Sequence, residues 1–312
     1  MLPPPLPFLL AVSLALSPGL SANAGPLPLT EVAEGVFVHQ GRHEVPSPEN
    51  HGDIANIGFV AGDRCVAVID SGGSPKQGQS LLEAIRSRTS LPVCYVINTH
   101  VHPDHIYGNR AFLSPNTQFV GHYKLPRAMA QRAPYYAQKA PETLGYTLAD
   151  EDFIAPDLTV TQSLALDLGG RTLTLTAHPT AHTDHDLSVF DDKTRTLWLG
   201  DLLFMGHLPV IDGSVLGWLD VINRLRQVKA DRAIPGHGPI TAEWPLALVS
   251  EESYLSDLVK DLREALRQGQ SLEIAMASRG LQHRAEWQLF EDFHKRNVAT
   301  AYAELEWEDG TP

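Results

Sequence analysis

Three histidines and one aspartate fall within the six residues from His100 to His105, directly after an apolar, strand-like run. In an extended or tightly turned backbone, His100 and His102 point to one side, whereas Asp104 and His105 can face a second, neighbouring point. Nitrogen and carboxylate ligands without cysteine suit Zn²⁺ best, with Mn²⁺ or Fe²⁺ as alternatives. The segment therefore predicts two neighbouring metal ions at the end of a strand.

Six residues cannot close two coordination spheres, so further ligands are expected at the ends of other strands. His182, Asp201 and His237 each follow a predicted strand, where a rigid scaffold can direct a short side chain toward a common point. The histidines on either side of His182, which are His178 and His185, are alternatives to it. Asp201 and His237 also have simpler interpretations, as a helix-capping residue and as a loop histidine.

The hydrophobic pattern predicts a mixed α/β fold of the α+β kind. The order strands, helix, strand and polar site occurs twice, which indicates two sheets packed face to face with helices outside, a four-layer αββα sandwich. Residues 122–150 are expected to form one or two helices, and another helix is expected at about 219–229. From residue 244 onward, leucines at helical spacing predict a helix that covers the sandwich: Leu255, Leu258, Leu262 and Leu266.

The N-terminus has the pattern of an export signal. No charged residue occurs in the first thirty, a short apolar run covers residues 8–16, and Ala22-Asn23-Ala24 precedes Gly25 as a small-x-small cleavage site. We expect residues 1–24 to be a signal peptide, 25–243 the catalytic domain, and 244–312 a C-terminal helical extension packed on the same domain. The mature protein is then periplasmic or secreted, without a membrane anchor after cleavage.

Charge and cysteine content limit the remaining possibilities. The chain has 312 residues and a formal net charge of −13 without any run of Lys or Arg, which disfavours a nucleic-acid partner and favours a small-molecule substrate. Only Cys65 and Cys94 are present. Export permits a disulfide, but two cysteines on predicted strands are more typical of small core residues.

These motifs together resemble the metallo-β-lactamase superfamily. The resemblance covers residues from about 35 to 240 and depends on His-x-His-x-Asp-His, a distant His, a Gly-Asp and a Pro-Gly-His-Gly, in that order. Within the superfamily, the segments 56–60, 94–105 and 200–204 look most like the quinoprotein relay system zinc metallohydrolases. That resemblance implies a periplasmic hydrolase associated with a quinoprotein oxidation system.

The resemblance also implies a role for each candidate ligand. His100, His102 and His182 would hold the first ion, Asp104, His105 and His237 the second, and Asp201 would bridge both. Asp104 would also act in catalysis by orienting the attacking hydroxide and passing its proton to the leaving group. Asp70, at the end of a predicted central strand, is a candidate to accept a hydrogen bond from a ligating imidazole, although ordinary turn chemistry explains it equally well.

The implied reaction is hydrolysis of a small ester, thioester, lactone or amide by a hydroxide shared between two Zn²⁺ ions. The β-lactam-degrading relatives have a different residue at the position of Asp201, and the flavodiiron relatives carry Glu at the position of His102, so both activities are disfavoured. Three alternatives stay open: a mononuclear iron oxygenase of the persulfide dioxygenase type, a β-lactam hydrolase, and a non-catalytic metal-binding accessory protein.

Overall fold

Two β-sheets form the centre of the fold in the computed structural model, which describes residues 25–308. The predicted signal peptide, residues 1–24, lies outside the described residues. The first sheet has seven strands in chain order: β1 (Thr30–Ala33), β2 (Val36–His39), β3 (Ile57–Ala61), β4 (Val66–Ile69), β5 (Val93–Ile97), β6 (Gln118–His122) and β7 (Leu158–Val160). Its first four strands pair antiparallel, and β4 to β7 pair parallel.

The second sheet has five strands in the spatial order β12, β11, β10, β9, β8. These strands are β8 (Ser163–Asp167), β9 (Thr172–Ala177), β10 (Leu187–Asp191), β11 (Thr196–Phe204) and β12 (Arg232–His237). All pairs are antiparallel except β11 with β12. Strands β8 and β9 form a hairpin around Gly169-Gly170, in which Leu166 lies opposite Leu173.

Helices connect the strands and cover the two outer faces. They are α1 (Pro75–Arg88), α2 (Pro103–Ile106), α3 (Leu125–Leu144), α4 (Val215–Leu225), α5 (Leu248–Arg267), α6 (Leu272–Ser278) and α7 (Phe290–Glu308), with single 3-10 turns at Asn109–Phe112, Asp150–Asp152 and Leu281–His283. Helix α4 begins four residues before its predicted start because the Ser214 hydroxyl accepts a hydrogen bond from the Gly217 amide and caps it there. Among residues 25–308, no helix is both long and apolar enough to cross a bilayer.

The core has three apolar layers, which confirms the predicted sandwich. Between the sheets, Ile69 of the first packs with Leu175 and Trp198 of the second. Helix α1 covers the outer face of the first sheet through Leu81. The outer face of the second sheet packs against α4, α5 and α7, and the predicted leucine stripe of α5 is buried at Leu255, Leu258 and Leu262.

A disulfide joins Cys65 and Cys94 across the first sheet, so the interpretation of these cysteines as separate core residues was wrong. Cys65 directly precedes β4 and Cys94 lies in β5, and in this parallel pair Val66 lies opposite Val93. Their Cα atoms are therefore only 5.8 Å apart, within the range that a disulfide spans. The sequence could not show this because the two residues are separated by 29 positions and meet only when the strands pair.

Candidate metal centre

The six-residue motif occupies the turn between β5 and the short helix α2. Pro103 starts that helix, which turns Asp104 and His105 away from the extended residues before them. The buried side chain of Asn98 stabilises this turn. It donates a hydrogen bond to the carbonyl of His105 and exchanges two more with Asn109. Local backbone geometry therefore divides the motif into two groups of side chains.

The structure brings all seven predicted ligands together at one edge of the two sheets. They form two groups in which the ligand atoms lie within 4.8 Å of one another: His100, His102, His182 and Asp201, and Asp104, His105 and His237. The rival histidines are elsewhere, because the ring of His178 contacts the Ser188 hydroxyl and the ring of His185 contacts the Thr183 hydroxyl. His182, rather than either neighbour, completes the first group.

Distances within the first group suit a tetrahedral ion. The Nδ1 atom of His102 lies 3.0 Å from the Nε2 atoms of both His100 and His182. Asp201 Oδ2 lies 3.5 and 3.4 Å from the same two Nε2 atoms. Ligand atoms about 2.0–2.2 Å from a tetrahedral zinc ion stand roughly 3.3 Å apart, so these four atoms fit one coordination sphere.

The second group has the same spacing. Asp104 Oδ2 lies 3.5 Å from His105 Nε2 and 3.3 Å from His237 Nε2. Asp201 reaches this group as well, with Oδ2 3.4 Å from His237 Nε2 and Oδ1 3.1 Å from His105 Nε2. One carboxylate thus adjoins the inward nitrogens of both groups, which is the position of a bridging ligand.

Two atoms of the cluster are buried without any hydrogen-bond partner among the described residues: His105 Nε2 and Asp201 Oδ1. Burying an unpaired polar atom is costly, and it is tolerated where a ligand supplies the missing partner. The two atoms lie 3.1 Å from each other without forming a hydrogen bond, and both belong to candidate ligands. The donor set, the spacing and these orphaned atoms together show that the residues fit metal ions.

Each imidazole is oriented by a contact on its outward nitrogen. His105 Nδ1 lies 2.8 Å from Asp70 Oδ2, His182 Nδ1 lies 2.6 Å from the Val210 carbonyl, and His237 Nδ1 lies 2.9 Å from the Ile54 carbonyl. His100 Nδ1 contacts the Thr99 hydroxyl, and His102 Nε2 contacts Asp212. Such partners fix the tautomer and the ring plane of a ligating histidine, so that the other nitrogen faces the ion.

Burial and charge act differently on the two groups. Burial lowers the pKa of His182 to about 3 and the pKa of His100 well below its ordinary value, so both rings are neutral at pH 7. Burial also disfavours charge on His237, but Asp201 and its neighbours outweigh it and raise the pKa of His237 to about 9. Only a neutral ring binds a metal ion, so affinity in the second group should fall as pH falls.

Asp201 lies inside strand β11 rather than at its predicted end, which corrects the expected strand-to-loop junction. The register of β11 against β12 shifts on both sides of Gly200, whose φ of +50° suits glycine. Pairing resumes at Phe204, so the strand continues past the aspartate. A Cβ atom on Gly236, in β12, would stand 2.1 Å from Asp201 Oδ1, so this position requires glycine.

Asp70 supplies the contact that the sequence hypothesis requires. It directly follows β4 with a φ of +55°, a conformation that aspartate tolerates better than most residues. Its Oδ1 atom accepts a hydrogen bond from the Thr99 amide, and its Oδ2 atom accepts one from the Thr99 hydroxyl and contacts His105 Nδ1. Asp70 therefore ties the strand end to the start of the motif and to one ligand.

We expect Asp70→Asn to weaken zinc binding roughly 10- to 100-fold, because an amide cannot accept all three of these contacts. Competition with a chromophoric zinc chelator measures the change. The matched control is Asp63→Asn, at an exposed turn position between β3 and β4, which should bind zinc like the wild type. Equal affinities in all three proteins would contradict the role given to Asp70.

The sequence motifs did not identify two residues that position ligands without belonging to either group. Asp212 belongs to none of the motifs identified in the sequence, yet its Oδ2 atom lies 3.0 Å from His102 Nε2. Asp186, which is buried, accepts hydrogen bonds from the amide and hydroxyl of Thr183 and so holds the loop that carries His182. Burial raises the pKa of Asp186 to about 7. The Asp-His-Asp sequence at 184–186 was the only available signal for it.

A cavity of about 350 Å³ leads to the cluster, with His102, Asp104 and Asp201 among the residues at its wall. Its other walls come from distant parts of the chain: Pro46, Leu144, Tyr135, Phe204, His207 and Phe293. Trp218 does not line the cavity and is buried against the ring of His182. The cavity is large enough for a small organic molecule and is mostly apolar beyond the ligands.

Comparison with known proteins identifies the family of this chain. Residues 52–237, more than half of the chain, match the sequence profile described as Metallo-beta-lactamase superfamily. The linear primary-alkylsulfatase of Pseudomonas sp. (strain ATCC 19151) is 24% identical over 206 residues, which cover 55% of this chain and 39% of that protein. The Beta-lactamase-like protein 2 homolog of Caenorhabditis elegans is 22% identical over 214 residues, which cover 67% of this chain and 63% of that protein.

A solved structure shows the same fold. The metallo-beta-lactamase from Pontibacter korlensis superposes with a TM-score of 0.61 at 22% identity, covering 74% of this chain and 99% of that one. The chain spans less than two thirds of the length of the two curated relatives it matches.

Proposed function

Because the chain belongs to the metallo-beta-lactamase superfamily, we propose that it is a metal-dependent hydrolase that holds two zinc ions in this cluster. The observation that carries the proposal is the position of Asp201, whose Oδ2 atom lies 3.4 to 3.5 Å from ligand nitrogens of both groups. A mononuclear site would not need a carboxylate shared between two sets of imidazoles. This arrangement argues against the iron oxygenase alternative.

When bound, two divalent ions lower the pKa of a water molecule and polarise the bond that is to be broken. The side chains of this protein do the remaining work. Asp104 lines the cavity at 13% exposure and contacts His105 and His237 through Oδ2. It can orient the attacking water and carry the released proton to the leaving group.

Water adds to the acyl carbon in this reaction, and the bond from that carbon to the leaving oxygen, sulfur or nitrogen breaks. The leaving atom takes the proton that Asp104 carried. Phe204 and Val210 line the cavity beside the ligands and restrict the access of bulk water. The substrate class that we propose is a small ester, thioester, lactone or amide, in accordance with the size of the cavity.

A sulfate ester is a second candidate. One relative of this chain is a linear primary-alkylsulfatase, and the cavity combines apolar walls with Arg132 and Arg296. An alkyl sulfate complements both features, because its anionic head suits the arginines and its alkyl chain suits the apolar walls.

The assignment to the quinoprotein relay system zinc metallohydrolases, with periplasmic location and a possible quinoprotein partner, is part of the same proposal. Two observations support an exported protein. The sequence predicts a cleavable signal at residues 1–24, and a disulfide joins Cys65 and Cys94, which is typical of proteins from oxidising compartments.

Metal analysis and a substrate panel test the proposal. We expect about two zinc ions per chain in the purified protein and turnover of at least one carboxylic ester, thioester, lactone or amide. Octyl sulfate and a β-lactam belong to the panel, and His102→Ala is the inactive control. About one iron per chain would favour the oxygenase alternative. No turnover across the panel in zinc-loaded protein would favour a non-catalytic role.

A further inference from the structure

Two arginines from separate parts of the fold meet beside the metal centre. Arg132 belongs to α3, between the parallel strands β6 and β7, and Arg296 belongs to α7 near the C-terminus. Arg132 Nη2 lies 2.8 Å from Asp212 Oδ2, and Arg296 Nη2 lies 2.9 Å from Asp212 Oδ1. Both arginines line the cavity that leads to the cluster. Asp212 therefore holds two guanidinium groups at the entrance.

The charges of Asp212, Arg132 and Arg296 do not cancel. One carboxylate faces two guanidinium groups, and the third neighbour of Asp212, His102, is a candidate metal ligand and hence neutral when it binds. Among the described residues that line the cavity, the only carboxylates are Asp104 and Asp201, which belong to the metal cluster. One positive charge at the entrance is therefore left for a ligand to neutralise.

The guanidinium groups are also open to a ligand. The side chains of Arg132 and Arg296 are 35% and 50% exposed, compared with 18% for Asp212. In the described part of the chain, Arg296 contacts Asp212 through Nη2 alone. A guanidinium carries five N–H donors, so most of its donors remain for an anion.

An apolar wall adjoins the arginines. Tyr135 is 59% exposed, follows Arg132 by one helical turn, and lines the same cavity. Phe293, on α7, precedes Arg296 by one turn and also lines it, and Leu144 is a third apolar member. One exposed and one half-buried aromatic side chain beside two guanidinium groups that share a single carboxylate suit a molecule with an apolar segment and an anionic end.

We infer that Arg132 and Arg296 form a specificity site for an anionic group on the substrate, joined to the scissile bond by an apolar segment. This inference rests on the proposed hydrolase function and narrows it to one substrate class: esters or thioesters that bear a carboxylate or a similar anion away from the bond that breaks. The arginines bind the substrate and do not take part in bond cleavage.

A simpler role for the arginines is that they only neutralise Asp212 and hold it against His102. That role predicts the same loss for every substrate, because it would act through the metal centre. A specificity site predicts a loss confined to anionic substrates and seen in KM. Two esters of matched length separate these roles: mono-para-nitrophenyl glutarate, which has a terminal carboxylate, and para-nitrophenyl pentanoate, which ends in a methyl group.

We expect zinc-loaded Arg296→Gln to raise KM for the glutarate ester about tenfold or more, with kcat changed less than about twofold and the pentanoate ester unaffected. Arg132→Gln should have the same effect. The matched control is Lys295→Gln, an exposed cation on the same helix that lines a different surface pocket and should behave like the wild type. Equal changes for both esters, or a lower kcat at unchanged KM, would overturn the inference.

Binding of hexane-1-sulfonate, measured by calorimetry on zinc-loaded protein, gives a result that does not depend on turnover. We expect Arg296→Gln to bind it at least about tenfold more weakly than Lys295→Gln does. If binding depends on Arg296 but neither ester is cleaved, the anion site stands and the proposed hydrolase activity on esters fails. Binding that is unchanged in Arg296→Gln would overturn the inference whatever the activity.

Discussion

Replacing Asp201 by asparagine is expected to lower kcat/KM by at least about a thousandfold and to reduce bound zinc from about two ions toward one. Removing a residue that only orients a metal ligand lowers metal affinity or activity roughly 10- to 100-fold. Asp201 adjoins the ligand nitrogens of both groups, so its loss should lower them further. An amide carries no charge to offset two cations. Metal analysis after gel filtration and steady-state kinetics on the best substrate of the panel measure both effects.

The matched control for this variant is Asp220→Asn, an exposed position on α4. It should keep both ions and full activity. Far-UV circular dichroism should show Asp201→Asn folded, since β11 remains paired on both sides by β10 and β12. A variant at Asp201 that retains about two zinc ions and wild-type kinetics would contradict the bridging role.

Removal of the metal is expected to have the largest effect on stability. The two groups bring together five imidazoles and two carboxylates, and the ligand atoms of each group lie within 4.8 Å of one another. An ion that binds only the folded state stabilises it by roughly 4 kcal/mol when present at 1,000 times its dissociation constant. A chelator should therefore lower the melting temperature by about 10 °C for a domain of this size.

Differential scanning calorimetry with and without a chelator measures this shift. Zinc should restore the melting temperature, whereas magnesium should not, because imidazole-rich sites suit zinc and magnesium prefers oxygen ligands. Asp201→Asn should show a smaller response to the chelator than the wild type. If the purified wild type contains no metal and the chelator does not change its melting temperature, the cluster does not serve as a metal centre.

The C-terminal helices have a second role beside the predicted one of covering the sandwich. Helices α5 and α7 do bury the outer face of the second sheet, as the leucine stripe of α5 predicts. They also reach the functional region. Glu251 on α5 accepts a hydrogen bond from the amide of Phe204, three residues after Asp201, and Arg296 on α7 lines the cavity. The proposed substrate class depends on this second role.

The chemistry of the centre was predictable because it depends on residue type and short spacing. The ligand atom of a histidine or an aspartate is a property of the residue type and does not depend on the fold. The backbone between His100 and His105 is also too short to adopt many arrangements. Strand periodicity then predicted that His182, Asp201 and His237 lie near strand ends, which was correct for two of them. The irregularity at Gly200 that keeps Asp201 within β11 depends on how β11 pairs with β12, so only the tertiary structure showed it.

Local sequence pattern was enough to predict the candidate metal ligands and the two-sheet architecture of this protein. The tertiary structure decided which residues surround that set. Asp212 contacts His102, from which it is separated by 110 positions in the sequence, and it also binds Arg132 and Arg296 of two different helices. Cys65 reaches Cys94 through the pairing of two strands. Such contacts depend on the relative placement of whole elements, which is fixed by packing of the entire core and leaves no signal in short stretches of sequence.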